Sequence, residues 1–309
     1  MKKDFIGSVL RGVSQVMLQN NVLTGLLFLV GIFSHSPLFG AAVLVGTTVS
    51  TLTAVFLKAD SSQTREGLFG FNGALVAIAL IYFLEPDLLT WIYLVFASVS
   101  TTVLMAAMLR RLEKWKMPAL TAPFVLTALA FLLACARFGR LHSTEILPTA
   151  GLPSAAAVEG IVTVTTVVEG LFMGVAQVFF QGSLITGVLF VIGLLVSSRR
   201  SCAFALLGSL VGLIVAWALG ASEPAIRSGA FGFNSVLTAI ALGSVFFTPS
   251  FVSFGYSLFA AAVTAVVFAA TSAALEPVGM PALTLPFVLV TWVFLSASPL
   301  FARVKTHAI

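Results

Sequence analysis

Along this chain, long apolar runs alternate with short polar breaks. Runs fall at 37–57, 67–84, 88–109, 117–136, 202–219, 229–247, 250–275 and 280–302. Wound as a helix, each is long enough to be a candidate for crossing the ~30 Å hydrocarbon core of a bilayer. Continuous runs of this kind are unlike the short alternating segments of an outer-membrane barrel. The pattern therefore predicts an all-α, polytopic membrane bundle.

Composition agrees. Of 309 residues, 59% are hydrophobic and 9% charged, with a mean hydropathy of +1.11, whereas a soluble domain carries roughly a quarter charged residues. The pI near 9.6 does not point to nucleic acid, because the basic residues sit where membrane topology wants them. Only six residues separate Asp4 from Arg11, too few for a signal-peptide core, so no cleaved segment is expected. Cys135 and Cys202 lie near opposite ends of different helices and suggest neither a disulfide framework nor a metal site. No cofactor is expected.

The sequence repeats itself. At an offset of 162, Gly12, Gln15, Gln19, Thr24, Gly25, Phe28 and Gly31 meet Gly174, Gln177, Gln181, Thr186, Gly187, Phe190 and Gly193. The same offset lays Gly67 and Phe69-Gly70-Phe71-Asn72 over Gly229 and Phe231-Gly232-Phe233-Asn234. With one residue inserted, MPALT at 117–121 and Pro123-Phe124 fall on MPALT at 280–284 and Pro286-Phe287. Each half then reads as a short segment (9–19 and 171–181) followed by five crossing segments, near 22–35, 37–57, 67–84, 88–109 and 117–136 in the first half. The short segments suit half-span, re-entrant helices, which a membrane tolerates only when they are buried in protein or line a cavity.

An odd number of crossings inverts the second half relative to the first. With the N-terminus inside, thirteen basic residues (Lys2, Lys3, Arg11, Lys58, Arg65, Arg110, Arg111, Lys114, Lys116, Arg199, Arg200, Arg303, Lys305) fall on the cytoplasmic side and three (Arg137, Arg140, Arg227) outside. That bias follows the positive-inside rule and makes both termini cytoplasmic. The expected division is a first repeat over 1–136, an external linker over 137–169, and a second repeat with a cytoplasmic tail over 170–309.

Inverted repeats usually bind substrate where the halves meet, near the midplane, so unusual residues that occur twice are the candidates. Gln15 and Gln177 sit in the half-span segments; an amide there either glues helices together or faces a wet path. In the two FGFN motifs, Asn72 and Asn234 read better as structural fasteners than as substrate ligands. Phe71 and Phe233, with Leu75 and Leu237 one turn on, would form flat apolar walls. In MPALTAPF and MPALTLPF, Pro123 and Pro286 cannot donate to the carbonyls of Ala119 and Ala282. They would therefore break a transmembrane helix and leave carbonyls needing partners, with Thr121 and Thr284 in the break. A plain kink with Thr bonded to its own helix is the structural alternative.

These motifs, in this order and duplicated, resemble the urea transporter family. The resemblance runs over roughly 9–136 and 171–302 and rests on Arg11-Gly12-Val13-Ser14-Gln15-Val16, Gln19-Asn20-Asn21, FGFNGALVAIAL and MPALTAPF. It implies passive, channel-like passage of urea through a homotrimer with one pore per subunit, in the lipid bilayer of a bacterial inner membrane. It also places the pore on Gln15, Phe71, Leu75 and Thr121 and on Gln177, Phe233, Leu237 and Thr284. Three residues after each Gln, where family members can carry Phe, stand Leu18 and Phe180.

The chemistry is consistent with that expectation. Urea is flat and neutral, so a narrow apolar slot edged with acceptors would replace the hydrogen bonds lost with its water. A coupled transporter would carry ionisable groups within the membrane; here every acid and histidine lies in an expected loop, tail or segment end. A membrane-embedded enzyme would need a nucleophile–base pair or a metal cluster; no HExxH, GxSxG or Cys/His grouping occurs. A general water, ammonia or amide pore differs only in selectivity.

Overall fold

The computed structural model describes residues 2–153 and 157–307, the side chains of residues 2–4 excepted, so two of the thirteen basic groups expected on the inner side, Lys2 and Lys3, lie outside the described side chains. Contacts divide the chain into one unit of Met1–Gly151 with Leu275–Pro281 and another of Leu152–Ala274 with Ala282–Ile309. Among the described residues both are helical, and strand pairing is confined to two isolated bridges, Leu84 with Ser143 and Phe247 with Thr306.

The first unit holds α1 (Lys2–Gln15), α2 (Val22–His35), α3 (Pro37–Phe56), the short α4 (Ser61–Arg65), α5 (Gly70–Phe83), α6 (Leu88–Leu112) and α7 (Ala122–Cys135). The second holds α8 (Val164–Ala176), α9 (Leu184–Ser197), α10 (Arg199–Ala218), the short α11 (Glu223–Arg227), α12 (Phe233–Ile240), α13 (Phe251–Leu275) and α14 (Leu285–Ala297). A 3-10 turn at Gln177–Phe179 prolongs α8, and a π-helical turn at Ala241–Phe246 prolongs α12.

Local chemistry explains the breaks. Ser36 closes α2 by donating its N–H to Ile32 O (2.8 Å) and opens α3 by accepting the Phe39 N–H on its hydroxyl (3.3 Å). Ser198 does the same between α9 and α10, with 2.7 Å to Leu194 O and 3.1 Å from Ser201 N–H. One residue separates the two helices in each case, because a serine side chain can replace the missing intrahelical partner. Asp87 caps α6 through the Thr90 N–H at 2.7 Å.

Span lengths differ from the sequence expectation of five crossings per half. By length and composition, α3, α6, α10 and α13 suffice to cross a membrane, and the pair 164–179 and 184–197, bent by 77°, would make a fifth. The helices α2, α5 and α7 have 14 residues each, about 21 Å at 1.5 Å per residue, short of a full crossing. Hydropathy counted the lead-in residues 67–69 and 117–121 as helix, whereas 67–69 form a turn and 117–121 run irregularly into a turn at 120–121. The half-span segments are in turn longer than expected: α1 runs over 14 residues from Lys2, and α8 starts at Val164, inside the stretch assigned to the linker.

Burial identifies the role of each helix. From Gly70 to Ile81 every residue of α5 is buried, as expected of a helix that is apolar all round. The long α6 and α13 are the opposite: 33% and 22% of their most apolar windows are buried. Leu88, Ile92, Phe96 and Val103 stand exposed along α6. Apolar surface on this scale requires lipid or another protein against it.

Candidate functional site

The site is built twice, once in each unit. In the first, α1 crosses the start of α5 at two glycines. A Cβ on Gly12 would lie 2.6 Å from Thr47 Oγ1 and 3.2 Å from Gly70 Cα, so only glycine lets the backbones meet. At Gly67, φ +80°, an added Cβ would run into the Gly12 amide nitrogen, so a side chain would be strained there and would also clash. Gly174, Gly232 and Gly229 (φ +75°) repeat the arrangement between α8 and α12.

The half-helix then ends in a tight left-handed turn. Leu18 adopts φ +60°; its N–H donates to Gln15 O (2.9 Å) and the Gln19 N–H donates to Ser14 O (3.1 Å). This is a Schellman cap, in which glycine usually holds the left-handed place. Phe180 holds it in the second unit, at φ +57°, with Phe180 N–H to Gln177 O (3.0 Å) and Gln181 N–H to Ala176 O (3.3 Å). A buried amide braces each turn: Gln19 Nε2 donates to Met17 O at 2.8 Å and Gln181 Nε2 to Phe179 O at 2.6 Å. In the first unit Ser14 adds its hydroxyl, which donates to Gln19 O at 2.6 Å.

A second left-handed turn precedes α7 and α14. Leu120 and Leu283 both sit at φ +51°, in turns closed by Ala122 N–H to Ala119 O and by Leu285 N–H to Ala282 O, each 3.2 Å. This corrects the sequence expectation that proline breaks a continuous helix and leaves those two carbonyls unpaired. Pro123 and Pro286 instead occupy the second residues of their helices, where a missing N–H costs nothing, and the carbonyls of Ala119 and Ala282 are bonded.

The FGFN asparagines are fasteners, as expected. Asn72 Oδ1 accepts the Phe124 N–H at 3.1 Å, and its Nδ2 stands 3.5 Å from both Leu120 O and Met105 Sδ. Asn234 Oδ1 accepts the Phe287 N–H at 3.1 Å and its Nδ2 donates to Leu283 O at 3.0 Å. Each amide supplies the acceptor that the first turn of the following helix lacks and ties that helix to α5 or α12. Both side chains are fully buried.

The predicted residues fall as follows. Gln15 ends α1, half-buried, and its Nε2 donates to Glu66 O at 3.0 Å; that leaves its oxygen as an acceptor. Gln177 opens the 3-10 turn after α8 and is also half-buried. Leu18 and Phe180 are the strained cap residues. Phe71 is buried and Phe233 partly exposed, while Leu75 and Leu237, one turn on, are fully buried. Thr121 and Thr284 are the buried residues from which α7 and α14 start, without capping those helices through their hydroxyls. In each unit, then, the glycine crossing and the asparagine clamp connect the elements carrying the five candidates. Sequence reasoning missed the bracing role of Gln19 and Gln181, although both appear in the repeat; an amide's role there depends on a backbone turn that spacing does not reveal.

Charge near the site is unequal in the two units. Arg227 pairs with Glu223 (2.8 Å) and Glu169 (3.4 Å), and Thr166 Oγ1 donates to Glu223. The Thr166 hydroxyl first, and Arg227 second, hold the Glu223 carboxyl below its ordinary range, and the same pairing raises Arg227. The corresponding places of the first unit are Arg65, Ser61 and Gly7, without those acids. Among the described residues no three His, Cys, Asp or Glu side chains gather as a metal site.

Span-length apolar helices and strained, amide-braced turns on half-length ones define a polytopic helical membrane protein. The chain belongs to the urea transporter family, whose model, "Urea transporter", matches residues 6–299. It is 34% identical over 295 residues to urea transporter 1 of Ovis aries, a match covering 94% of this chain and 76% of that relative. Over the same length and coverage it is 33% identical to urea transporter 1 of Capra hircus and 32% to that of Rattus norvegicus.

Proposed function

We propose that this chain conducts urea passively across a membrane, as a transporter and not an enzyme, through a narrow path lined by Gln15, Leu18, Phe71, Leu75 and Thr121 and by Gln177, Phe180, Phe233, Leu237 and Thr284. The observation that carries the residue assignment is the placement of backbone strain. Of the six non-glycine residues with positive φ among the described residues, Leu18 and Phe180 are candidates themselves, and Leu120 and Leu283 immediately precede Thr121 and Thr284. Such conformations cost about 1–3 kcal/mol each and persist where the surrounding structure over-determines them, commonly at functional sites. Here buried amides do the holding, and side chains stand at cap positions where glycine would cost less.

The proposed chemistry follows from that arrangement. Phe and Leu walls admit a flat neutral molecule and offer a hydrated ion no replacement shell. The Gln15 oxygen, the threonine hydroxyls and turn carbonyls supply acceptors to urea N–H groups along one edge. Membership of the urea transporter family supports the substrate and the passive mode. The finer topology belongs to the same proposal: a first repeat over 1–136, an external linker over 137–169, an inverted second repeat over 170–309, both termini cytoplasmic in a bacterial inner membrane, and a homotrimer with one pore per subunit. The charge distribution supports the orientation, and the resemblance supports the trimer.

Stopped-flow light scattering on proteoliposomes, with and without an imposed proton gradient, tests the reading. Urea flux well above empty liposomes and indifferent to the gradient is expected. Flux that requires the gradient would make the protein a coupled transporter instead.

A further inference from the structure

We propose that the stretches of the urea path lined by the first and by the second unit's candidates, each a constriction, differ in stiffness, and that Phe268, standing where the first unit has Met105, makes the second constriction the size-selective one. The proposal rests on the pore assignment above. On the long helices, with the one-residue insertion counted, Met105 of α6 corresponds to Phe268 of α13. Both face the FGFN helix of their own unit, but they do different things there.

In the second unit the Phe268 ring meets two walls of the motif edge to face. Its centroid lies 5.3 Å from that of Phe231 at 83° and 5.5 Å from that of Phe233 at 80°. Phe233 is the candidate wall residue, and it is partly exposed. T-shaped contact on a ring with few torsional freedoms fixes its tilt. The adjacent clamp is tight as well, Asn234 Nδ2 giving itself to Leu283 O at 3.0 Å.

In the first unit Met105 replaces the bracing ring. Among the described residues neither Phe69 nor Phe71 meets another aromatic ring. Met105 instead draws on the clamp: Asn72 Nδ2 is shared between its sulfur at 3.5 Å, an ordinary N–H···S length, and Leu120 O at 3.5 Å, a long one for N–H···O. Methionine has three rotatable bonds and re-packs around irregular shapes. The wall at Phe71 and the turn at Leu120 can therefore yield where the wall at Phe233 and the turn at Leu283 cannot. A substrate slightly larger than urea passes the first constriction and is rejected at the second. Phe268 is a positioning residue in this account, acting on substrate through Phe233.

The test compares urea with N-methylurea and 1,3-dimethylurea in the same proteoliposomes, for the wild type, Phe268→Met and Met105→Phe. One added methyl in a fitted apolar pocket is worth roughly tenfold or more in discrimination. Phe268→Met should therefore raise the methylurea-to-urea permeability ratio by about three- to tenfold, with urea flux within about twofold of wild type. Met105→Phe should leave that ratio unchanged or lower it. A ratio unmoved by Phe268→Met, or raised equally by both substitutions, overturns the proposal. If Phe268→Met does not fold, Phe268→Leu replaces it, and an unmoved ratio there overturns the proposal equally. Absence of urea flux in the wild type would instead remove the pore assignment itself.

Discussion

At the scale of single residues, the fold is held by buried amides on strained turns. Asn234→Ala leaves the Phe287 N–H and Leu283 O buried without partners, at about 1–3 kcal/mol per orphaned group. Thermal unfolding in detergent should show a clearly lower midpoint for this variant. Gly174→Ala should be at least as damaging, because its Cβ meets Ser209 Oγ and lies 3.2 Å from Gly232 Cα. A charge effect can be predicted with its sign. Glu223 has a depressed folded-state pKa, caused first by the Thr166 hydroxyl. The stability it contributes is complete above the ordinary carboxylate range and is lost as pH falls through that range and the lowered folded value beneath it. The difference in unfolding midpoint between wild type and Arg227→Gln should hence be constant between about pH 6 and 8 and shrink below about pH 4. The asparagine fasteners were legible in the sequence because an amide inside an apolar motif needs a partner wherever it lies. The bracing role of Gln19 and Gln181 was not, since their partners are carbonyls of the turn itself.

At the scale of elements, corresponding helices solve one packing problem in two ways. In the first unit Ser50 of α3 faces Gly73 of α5, and the Ser50 hydroxyl donates to Ser98 O of α6 at 2.9 Å. In the second, α10 carries the glycine, Gly212, and α12 the serine; Ser235 donates to Ala261 O of α13 at 2.8 Å. Serine and glycine have traded sides while the corresponding carbonyl stays satisfied. Gly73→Ser alone forces its Cβ onto Ser50 and should cost about 1–3 kcal/mol, as overpacking does. Ser50→Gly with Gly73→Ser recreates the second unit's arrangement and should recover most of that loss in a double-mutant cycle on unfolding midpoints. The one-residue insertion between the repeats has a physical location too. It is absorbed by the π-helical turn Ala241–Phe246, where the matching helix α5 runs uninterrupted to Phe83. Hydropathy recovered the existence and order of the helices but misjudged α5 and α7, because an apolar run does not say where its residues stop being helical. The proline argument erred for a related reason: in a run read as one continuous helix, nothing marks Pro123 as the second residue of a new one.

At the scale of the whole molecule, the sequence was legible enough to name an all-helical membrane protein and the urea transporter family, both of which hold. Among the described residues four helices, or five spans with the bent pair counted as one, are long and apolar enough to cross a membrane; shorter helices among the rest bear the glycine crossings and amide clamps. The central proposal is that the matched candidates of each unit line the route of urea. The most direct test is urea flux through Thr121→Val with Thr284→Val, which removes two hydroxyls at nearly constant volume, set beside its unfolding midpoint. The account predicts urea flux reduced by about tenfold or more in protein that a cooperative unfolding transition shows to be folded, the scale of one lost hydrogen bond at each of two passages. Wild-type urea flux in that folded double variant would contradict it.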